Sequence, residues 1–171
     1  MNKRYVYILG SSRGDGETRK MVDEAMKHLP GDVVDLNDYK IGYYDYEYQN
    51  KDDDYYPLID ELTRLYDVFI FATPIYWYSM SAVMKTFFDR ISDLLRVHKD
   101  TGRRLRGKEM ALISCASDSQ IMPEFPMPFI RSADYLGMTF LDNVHGYVRN
   151  GELPADVKKD IRSFTKTIAS S

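Results

Sequence analysis

Short unbroken runs of apolar residues recur along the chain, and turn-forming residues separate them. The clearest are YVYIL at residues 5–9 and VFIFA at residues 68–72, which are rich in aromatic and β-branched side chains. Runs of this length and composition are typical of strands that are buried on both faces of a sheet. The pattern predicts five strands, at residues 5–9, 32–36, 68–72, 110–114 and within 138–148.

Between these runs, apolar residues recur every three or four positions, which is the spacing of one helix face. The longest stripe holds Met84, Phe87, Phe88, Ile91, Leu94 and Leu95, and Ser79 or Ser81 can cap its start. A helix capped by Thr18 and stopped by Pro30-Gly31 is predicted after the first strand. Further helices are predicted at residues 58–66, around 129–136 and at 155–168.

Five strands that alternate with five helices, without an internal repeat or linker, predict one domain over residues 1–171. The fold class is α/β, an open and doubly wound three-layer sandwich. Ligands of such sheets bind outside the carboxyl ends of the strands, where the strand order reverses. The loops that open at Gly10, Thr73 and Cys115 are therefore the candidate ligand loops.

The amino-acid composition limits which classes of partner, membrane segment and metal site the chain can have. The 171 residues carry a net charge of −3, which favours neither nucleic acid nor an anionic membrane as a partner. Residues 68–84 have no charged side chain, but Pro74 divides this stretch and it is too short for a membrane-spanning helix. Cys115 is the only cysteine, so neither a disulfide within the chain nor a cysteine-built metal site is possible, and a cytoplasmic location is expected.

The loop GSSRGDGET, residues 10–18, follows the first strand and leads into a helix. Free N–H groups and the positive dipole end at a helix start favour an anion, and the loop adds hydroxyl groups and Arg13. It lacks the Gly-Lys-Ser/Thr of a nucleotide-binding P-loop and the third glycine of a dinucleotide motif. A phosphate site and a plain turn before a capped helix are the two interpretations.

The loop after the third predicted strand, TPIYWYSM at residues 73–80, places three adjacent aromatic residues beside a helix start. Their flat apolar surfaces can lie along a planar heteroaromatic ligand whose phosphate occupies the first loop. The alternative is that Tyr76, Trp77 and Tyr78 pack within the chain or at a dimer interface.

Two stretches of the chain together resemble the flavodoxin-like NAD(P)H-dependent FMN reductase family: ILGSSRGDGETRKMV and FATPIYWYSMSAVMKTFFDR. The likeness extends over most of the chain, because it includes Leu105–Lys108 and Gly137-Met138. The resemblance implies a flavodoxin-like sheet of order 2-1-3-4-5 that binds FMN noncovalently. It places Ser11, Arg13, Gly16, Glu17 and Thr18 at the FMN phosphate. It places Pro74, Ile75, Tyr76 and Trp77 along the isoalloxazine, and Ala116 and Ser117 at its far edge.

The resemblance also implies an oxidoreductase that takes a hydride from NADPH or NADH over the Tyr76-Trp77 side and passes electrons to free flavin, a quinone or another small acceptor. It implies a homodimer, and it requires no catalytic acid or base from the protein. The chain departs from the family at Glu17, where asparagine is usual, and it lacks the cysteines with which some relatives bind an iron–sulfur cluster.

Two other functions share this fold: an electron-transfer flavodoxin without NAD(P)H turnover, and a binding module without flavin. The net charge of −3 argues against the first, because such electron carriers are strongly acidic.

The Tyr-rich residues 43–56 are interpreted as a lid over the flavin, a dimer contact or a solvated loop. The basic loop is interpreted either as a contact for the extra phosphate of NADPH or as a solvated connection; its charged residues are Arg103, Arg104, Arg106 and Lys108. No redox role is assigned to Cys115, and no metal-binding role to the scattered histidines.

Overall fold

A computed structural model describes residues 3–171 and contains one sheet of six strands. The strands are β1 (Tyr5–Leu9), β2 (Asp32–Asp35), β3 (Val68–Tyr76), β4 (Ser79–Met80), β5 (Glu109–Ala116) and β6 (Thr139–Tyr147). Five of them pair in parallel in the order β2-β1-β3-β5-β6, and β4 pairs antiparallel with β3. The predicted order 2-1-3-4-5 is confirmed, because β4 is a short addition to the end of β3.

Seven α-helices cover the two faces of the sheet. They are α1 (Glu17–Met26), α2 (Tyr55–Leu65), α3 (Ala82–Asp89), α4 (Ile91–Arg96), α5 (Lys99–Arg103), α6 (Met127–Leu136) and α7 (Ala155–Ala169). Side chains of α2, α3 and α6 form a core with one face of the sheet, and those of α1 and α7 form a second core with the other face. Burial on both faces explains why the central strands β1, β3 and β5 contain continuous apolar runs.

Several predicted boundaries were wrong. The helix α1 begins at Glu17 with Gly16 as its N-cap, so Thr18 lies inside the helix and is not the cap. The long stripe of residues 84–95 is not one helix, because α3 ends at Asp89 and α4 begins after Arg90. Ser81 caps α3, accepting a hydrogen bond from the Met84 N–H at 3.1 Å.

The loop after β3 is a tight hairpin, which the sequence pattern did not predict. β3 continues to Tyr76, and only Trp77 and Tyr78 connect it to β4. Both connecting residues are left-handed, with φ of 49° and 65°. Two consecutive residues with positive φ characterise a type I′ turn, which normally contains asparagine and glycine because larger side chains are strained there.

Arg90, between α3 and α4, holds the Tyr-rich segment (residues 43–56) and the residues just before it against the helices. Its guanidinium, 2 % exposed, pairs with Asp53 at 2.5 Å and Asp93 at 2.6 Å. It also donates hydrogen bonds to the carbonyl oxygens of Gly42 (2.9 Å) and Asn50 (3.1 Å). Burial raises the pKa of Asp53, but hydrogen bonds from Arg90, Gly42 and Tyr55 outweigh burial and lower it overall. The segment is therefore an ordered part of the fold.

The basic loop lies at the amino ends of the strands, opposite the predicted ligand loops, because it leads directly into the start of β5. Arg104 is paired with Asp60, and Lys108 donates a hydrogen bond to the Tyr66 carbonyl. Within one chain, this placement separates the loop from a ligand at the carboxyl ends of the strands. Within residues 3–171, no helix has the length and apolar character needed to span a membrane.

The substitution Arg90→Leu should lower the free energy of unfolding by about 3–5 kcal/mol, because it leaves the largely buried carboxylates of Asp53 and Asp93 without a cationic partner. Urea unfolding measures this change. The matched control is Arg103→Leu, which breaks the exposed pair with Asp100 and should change stability little. Equal losses in the two variants would show that the Arg90 cluster is not a stabilising element.

Candidate functional site

The carboxyl ends of β1 and β3 are joined by buried hydrogen bonds through Ser81. Its hydroxyl donates to the Gly10 carbonyl at 2.6 Å, and its N–H donates to the Thr73 hydroxyl at 3.1 Å. A Cβ atom on Gly10 would lie 2.9 Å from the Cβ atom of Met84 and 3.1 Å from its Cα atom, so helix α3 approaches as closely as only glycine allows. The loop after β1 and the hairpin after β3 are therefore held in a fixed relation.

The first loop ends at a helix start that has no side-chain cap. Gly16 is the N-cap, and the first helical hydrogen bond is from the Lys20 N–H to the Gly16 carbonyl at 3.3 Å. The N–H groups of residues 17–19 are thus left for another acceptor. Thr18 is buried, and its hydroxyl makes no hydrogen bond within the part of the chain that the structure describes. This arrangement fits a phosphate group, whose oxygens accept hydrogen bonds at a helix start.

The predicted phosphate residues divide into two groups. Gly16 and Thr18 are buried at the helix start, whereas Arg13 and Glu17 are exposed. Ser11 is buried, and its carbonyl accepts a hydrogen bond from the Asn37 side chain at 2.7 Å, so this residue contributes to the support of the loop.

Ser12, which was not among the predicted residues, connects this loop to the hairpin. Its hydroxyl is hydrogen-bonded to the Tyr76 hydroxyl, with 2.9 Å between the oxygens. A serine in a loop of several hydroxyl residues carries no sequence signal that distinguishes it from Ser11.

The hairpin and the loop after β5 enclose a cleft of about 280 Å³, here called the aromatic cleft. It is lined by Ile75, Trp77, Tyr78, Ala116, Ser117, Asp118, Gln120, Met122 and Phe125. Four of the predicted ring contacts, Ile75, Trp77, Ala116 and Ser117, therefore meet in one place. Pro74 is buried beneath the hairpin, and the Tyr76 hydroxyl reaches Ser12.

Five lining residues of the aromatic cleft were missed: Tyr78, Asp118, Gln120, Met122 and Phe125. Tyr78 was noted as part of the aromatic run but was not assigned to the site. The other four lie in an irregular stretch with turn-forming residues and no periodic pattern, which indicates a loop but not which side chains face a ligand. The Tyr-rich segment contributes no lining residue to this cleft, so the lid interpretation receives no support.

His145 on β6 supports the loop at the edge of the aromatic cleft. Its Nδ1 lies 3.0 Å from the Ser114 hydroxyl, and its Nε2 lies 3.1 Å from the Asp118 carbonyl oxygen. A neutral imidazole fits both contacts when Nε2–H donates to the carbonyl and Nδ1 accepts from the serine. Burial lowers the pKa of His145, although the Asp118 carbonyl acts in the opposite direction.

Cys115, at the end of β5, is buried, and burial raises the pKa of its thiol to about 12. The thiol is therefore protonated and unreactive at neutral pH. Within residues 3–171, no group of three histidine, cysteine or acidic side chains is arranged to bind a metal ion.

Comparisons with known proteins identify the family and the fold. The model of the family described as NADPH-dependent FMN reductase matches residues 4–151. The chain is 28% identical over 168 residues to YwqN from Bacillus subtilis (strain 168), and the match covers 92% of this chain and 91% of that protein. YwqN is provisionally assigned as an NAD(P)H-dependent FMN-containing oxidoreductase.

Two solved structures share the fold. The Trp repressor binding protein of Bacillus subtilis has a TM-score of 0.71 and 24% identity, with 96% of this chain and 95% of that chain covered. General stress protein 14 of Treponema denticola, solved in complex with FMN, has a TM-score of 0.63 and 15% identity, with 98% and 97% covered. These structures support the flavodoxin-like architecture.

The free energy of unfolding should decrease as the pH falls below about 6.5, because the unfolded chain then binds a proton at residue 145 that the folded chain does not. The variant His145→Gln removes this contribution, so its stability should vary less between pH 7.5 and pH 5 than that of the wild type. Urea unfolding at a series of pH values tests the difference. Parallel curves for the two proteins would exclude His145 as the titrating group.

Proposed function

The chain belongs to the NADPH-dependent FMN reductase family and is an FMN-dependent NAD(P)H oxidoreductase, and we propose that the first loop and the aromatic cleft together bind its FMN. The observation that carries this proposal is the junction at the carboxyl ends of β1 and β3. There an uncapped helix start and an aromatic cleft are connected by the hydrogen bond between Ser12 and Tyr76.

At the phosphate end, we assign binding to the backbone N–H groups of residues 17–19 and to the hydroxyl of Thr18. Arg13 is exposed beside them and makes no ion pair within residues 3–171, so its charge is available for a phosphate dianion. Glu17 is also exposed, and it makes no side-chain hydrogen bond in the described chain. Its carboxylate can therefore point to solvent, where water screens its repulsion, while its N–H group serves the phosphate.

At the ring end, Ile75, Trp77 and Tyr78 offer apolar and aromatic surface, and the loop from Ala116 to Asp118 offers backbone polar groups. Bound FMN supplies the hydride chemistry, since it can take up two electrons and pass them on. The role of these residues is to orient the ring, exclude water from one side and leave space for a second planar molecule. The proposal assigns no acid or base catalysis to a side chain.

The overall reaction follows from this assignment. One NAD(P)H and one proton reduce one acceptor by two electrons, producing NAD(P)⁺ and, for a quinone, the quinol. Trp77 is 93 % exposed and Tyr78 is 74 % exposed, so the cleft is open toward solvent. An open cleft suits a small acceptor that enters after the nicotinamide has left, and free flavin or a quinone has the required planar shape.

The proposal extends to assembly and location. Trp77, Tyr78, Met122 and Met127 are large exposed apolar side chains, and three of them line the aromatic cleft. A second copy of the chain packed over them would remove this surface from water and add a wall to the cleft. We therefore propose a homodimer in which residues 1–171 of each subunit form one FMN-binding domain. The single cysteine of the chain fits a reducing compartment, and on this ground we propose a cytoplasmic location.

Anaerobic absorbance spectroscopy of the FMN-loaded protein tests the proposed function. Addition of NADPH or NADH should bleach the flavin band, and a quinone added afterwards should restore it. Bound flavin that neither nucleotide bleaches would instead support the electron-transfer flavodoxin. A protein that does not retain FMN under any loading condition would support the flavin-free binding module.

Replacing Trp77 and Tyr78 by asparagine and glycine should stabilise the FMN-free protein while weakening FMN binding. Asn-Gly adopts the left-handed turn readily, so relief of strain should raise the free energy of unfolding by roughly 1–3 kcal/mol. Loss of two aromatic surfaces from the cleft should raise the dissociation constant for FMN. Urea unfolding and quenching of FMN fluorescence measure the two effects.

The matched control is Trp77→Phe, which keeps both the strained turn and an aromatic ring and should leave both quantities near the wild-type values. If the Asn-Gly variant binds FMN as tightly as the wild type, the hairpin is not the wall of the flavin site.

A further inference from the structure

A second cleft, here called the tyrosine cleft, lies between the Tyr-rich segment and the helices α2 and α4. Its volume is about 480 Å³, which lies within the range of small-molecule sites in proteins. Its lining includes Tyr48, Lys51, Tyr55, Tyr56, Asp93 and His98. None of its lining residues belongs to the aromatic cleft, so it is a separate site.

Tyr55, one of the lining residues of the tyrosine cleft, carries a buried polar atom that lacks a partner. The Tyr55 hydroxyl makes no hydrogen bond within residues 3–171. Among the side-chain oxygen and nitrogen atoms of these residues that are fully closed to solvent, it is the only one without a partner. An unpaired buried hydroxyl destabilises a fold, so native proteins rarely retain one without a reason. A small shift of the side chains that now cover this hydroxyl would let a ligand oxygen reach it from the cleft that Tyr55 lines, and would complete its hydrogen bonding.

The walls of the cleft are held in place before any ligand binds. Arg90 is itself part of the lining, and its guanidinium lies 4.8 Å from the centre of the Tyr55 ring. The hydrogen bonds and ion pairs of Arg90 fix the Tyr-rich segment on the opposite side. Tyr48 has a φ of 55°, a strained conformation for a tyrosine. Strain of this kind is characteristic of binding sites, whose geometry the surrounding structure maintains.

An aromatic pair indicates the shape of the ligand. The rings of Tyr56 and His98 are stacked, with their centres 3.6 Å apart and their planes 20° apart. Both residues line the cleft. A planar aromatic molecule can extend this stack and contact the tyrosine rings around it.

The charges of the cleft indicate a neutral ligand. Arg90 is offset by Asp53 and Asp93, and on the rim Lys51 is accompanied by Glu47. No excess of positive charge remains to attract an anion such as a carboxylate or phosphate.

We propose that the tyrosine cleft binds a small neutral planar aromatic molecule with a hydroxyl or carbonyl oxygen that hydrogen-bonds to Tyr55. Because no lining residue is shared with the aromatic cleft, this site is independent of the proposed FMN contacts. Its occupant is bound alongside the cofactor and not in exchange for it.

Equilibrium dialysis of 2-naphthol against the FMN-loaded protein tests the proposal with a probe that NAD(P)H does not reduce. The wild type should bind it saturably in the tyrosine cleft, and any further equivalent that occupies the aromatic cleft should be lost in Trp77→Ala. Tyr55→Phe should weaken binding about tenfold, because it removes one hydrogen bond and keeps the ring. His98→Ala should weaken binding by removing the stacked ring. Tyr43→Phe is the matched control, since Tyr43 belongs to the same segment but does not line the cleft, and it should bind as the wild type does.

Two further measurements separate this site from a merely structural role and from the aromatic cleft. Urea unfolding of Tyr55→Phe without 2-naphthol should show unchanged or higher stability, because the substitution removes an unpaired hydroxyl. Trp77→Ala should leave 2-naphthol binding in the tyrosine cleft intact. The proposal is overturned if no saturable binding is found, or if Trp77→Ala abolishes binding while Tyr55→Phe and His98→Ala have no effect.

Discussion

The buried hydroxyl of Ser81 is the contact on which the geometry of the candidate site depends. It caps α3 through the Met84 N–H and donates to the Gly10 carbonyl, so one side chain connects the end of β1 to the helix that follows β3. In a parallel sheet these two strands are neighbours, but their loops have no backbone ladder to align them beyond the last pair. The Ser81 hydroxyl provides that alignment. Because it is buried, water cannot replace its hydrogen bonds, and breaking them is therefore costly. The phosphate end and the ring end of the proposed FMN site are positioned by the same few atoms.

The fold was largely predictable from the sequence, because the central strands β1, β3 and β5 are buried on both faces and so contain continuous apolar runs. The five predicted strands and their order are present, and the helices between them follow the expected spacing. The hairpin was not predictable by the same rule. Its second strand has only two residues, and its turn contains Trp77 and Tyr78 where the conformation favours Asn-Gly. Because tryptophan and tyrosine disfavour positive φ, the local sequence gives no indication of the type I′ turn.

The Tyr-rich segment was unpredictable for a different reason. It has no apolar periodicity, and the contacts that order it come from Arg90, about forty residues away along the chain. In the sequence Arg90 stands within a helical stripe and resembles an ordinary solvated charge. Its pairing with Asp53 and Asp93 becomes evident only when the helices are placed in three dimensions. Pairing of this kind satisfies charges that would be costly to bury alone, and it allows a polar segment to form part of the folded surface.

Strain in the backbone is concentrated at the two clefts. Four residues other than glycine have positive φ in the described chain, namely Tyr48, Trp77, Tyr78 and Asn150. Asparagine tolerates this conformation, but the three aromatic residues do not adopt it readily. Tyr48 lines the tyrosine cleft, and Trp77 and Tyr78 line the aromatic cleft. In each case the surrounding structure imposes the conformation, through the Arg90 cluster in one cleft and through the β3–β4 pairing in the other. The free energy stored in these turns is stability that the fold gives up at the two clefts for which planar ligands are proposed.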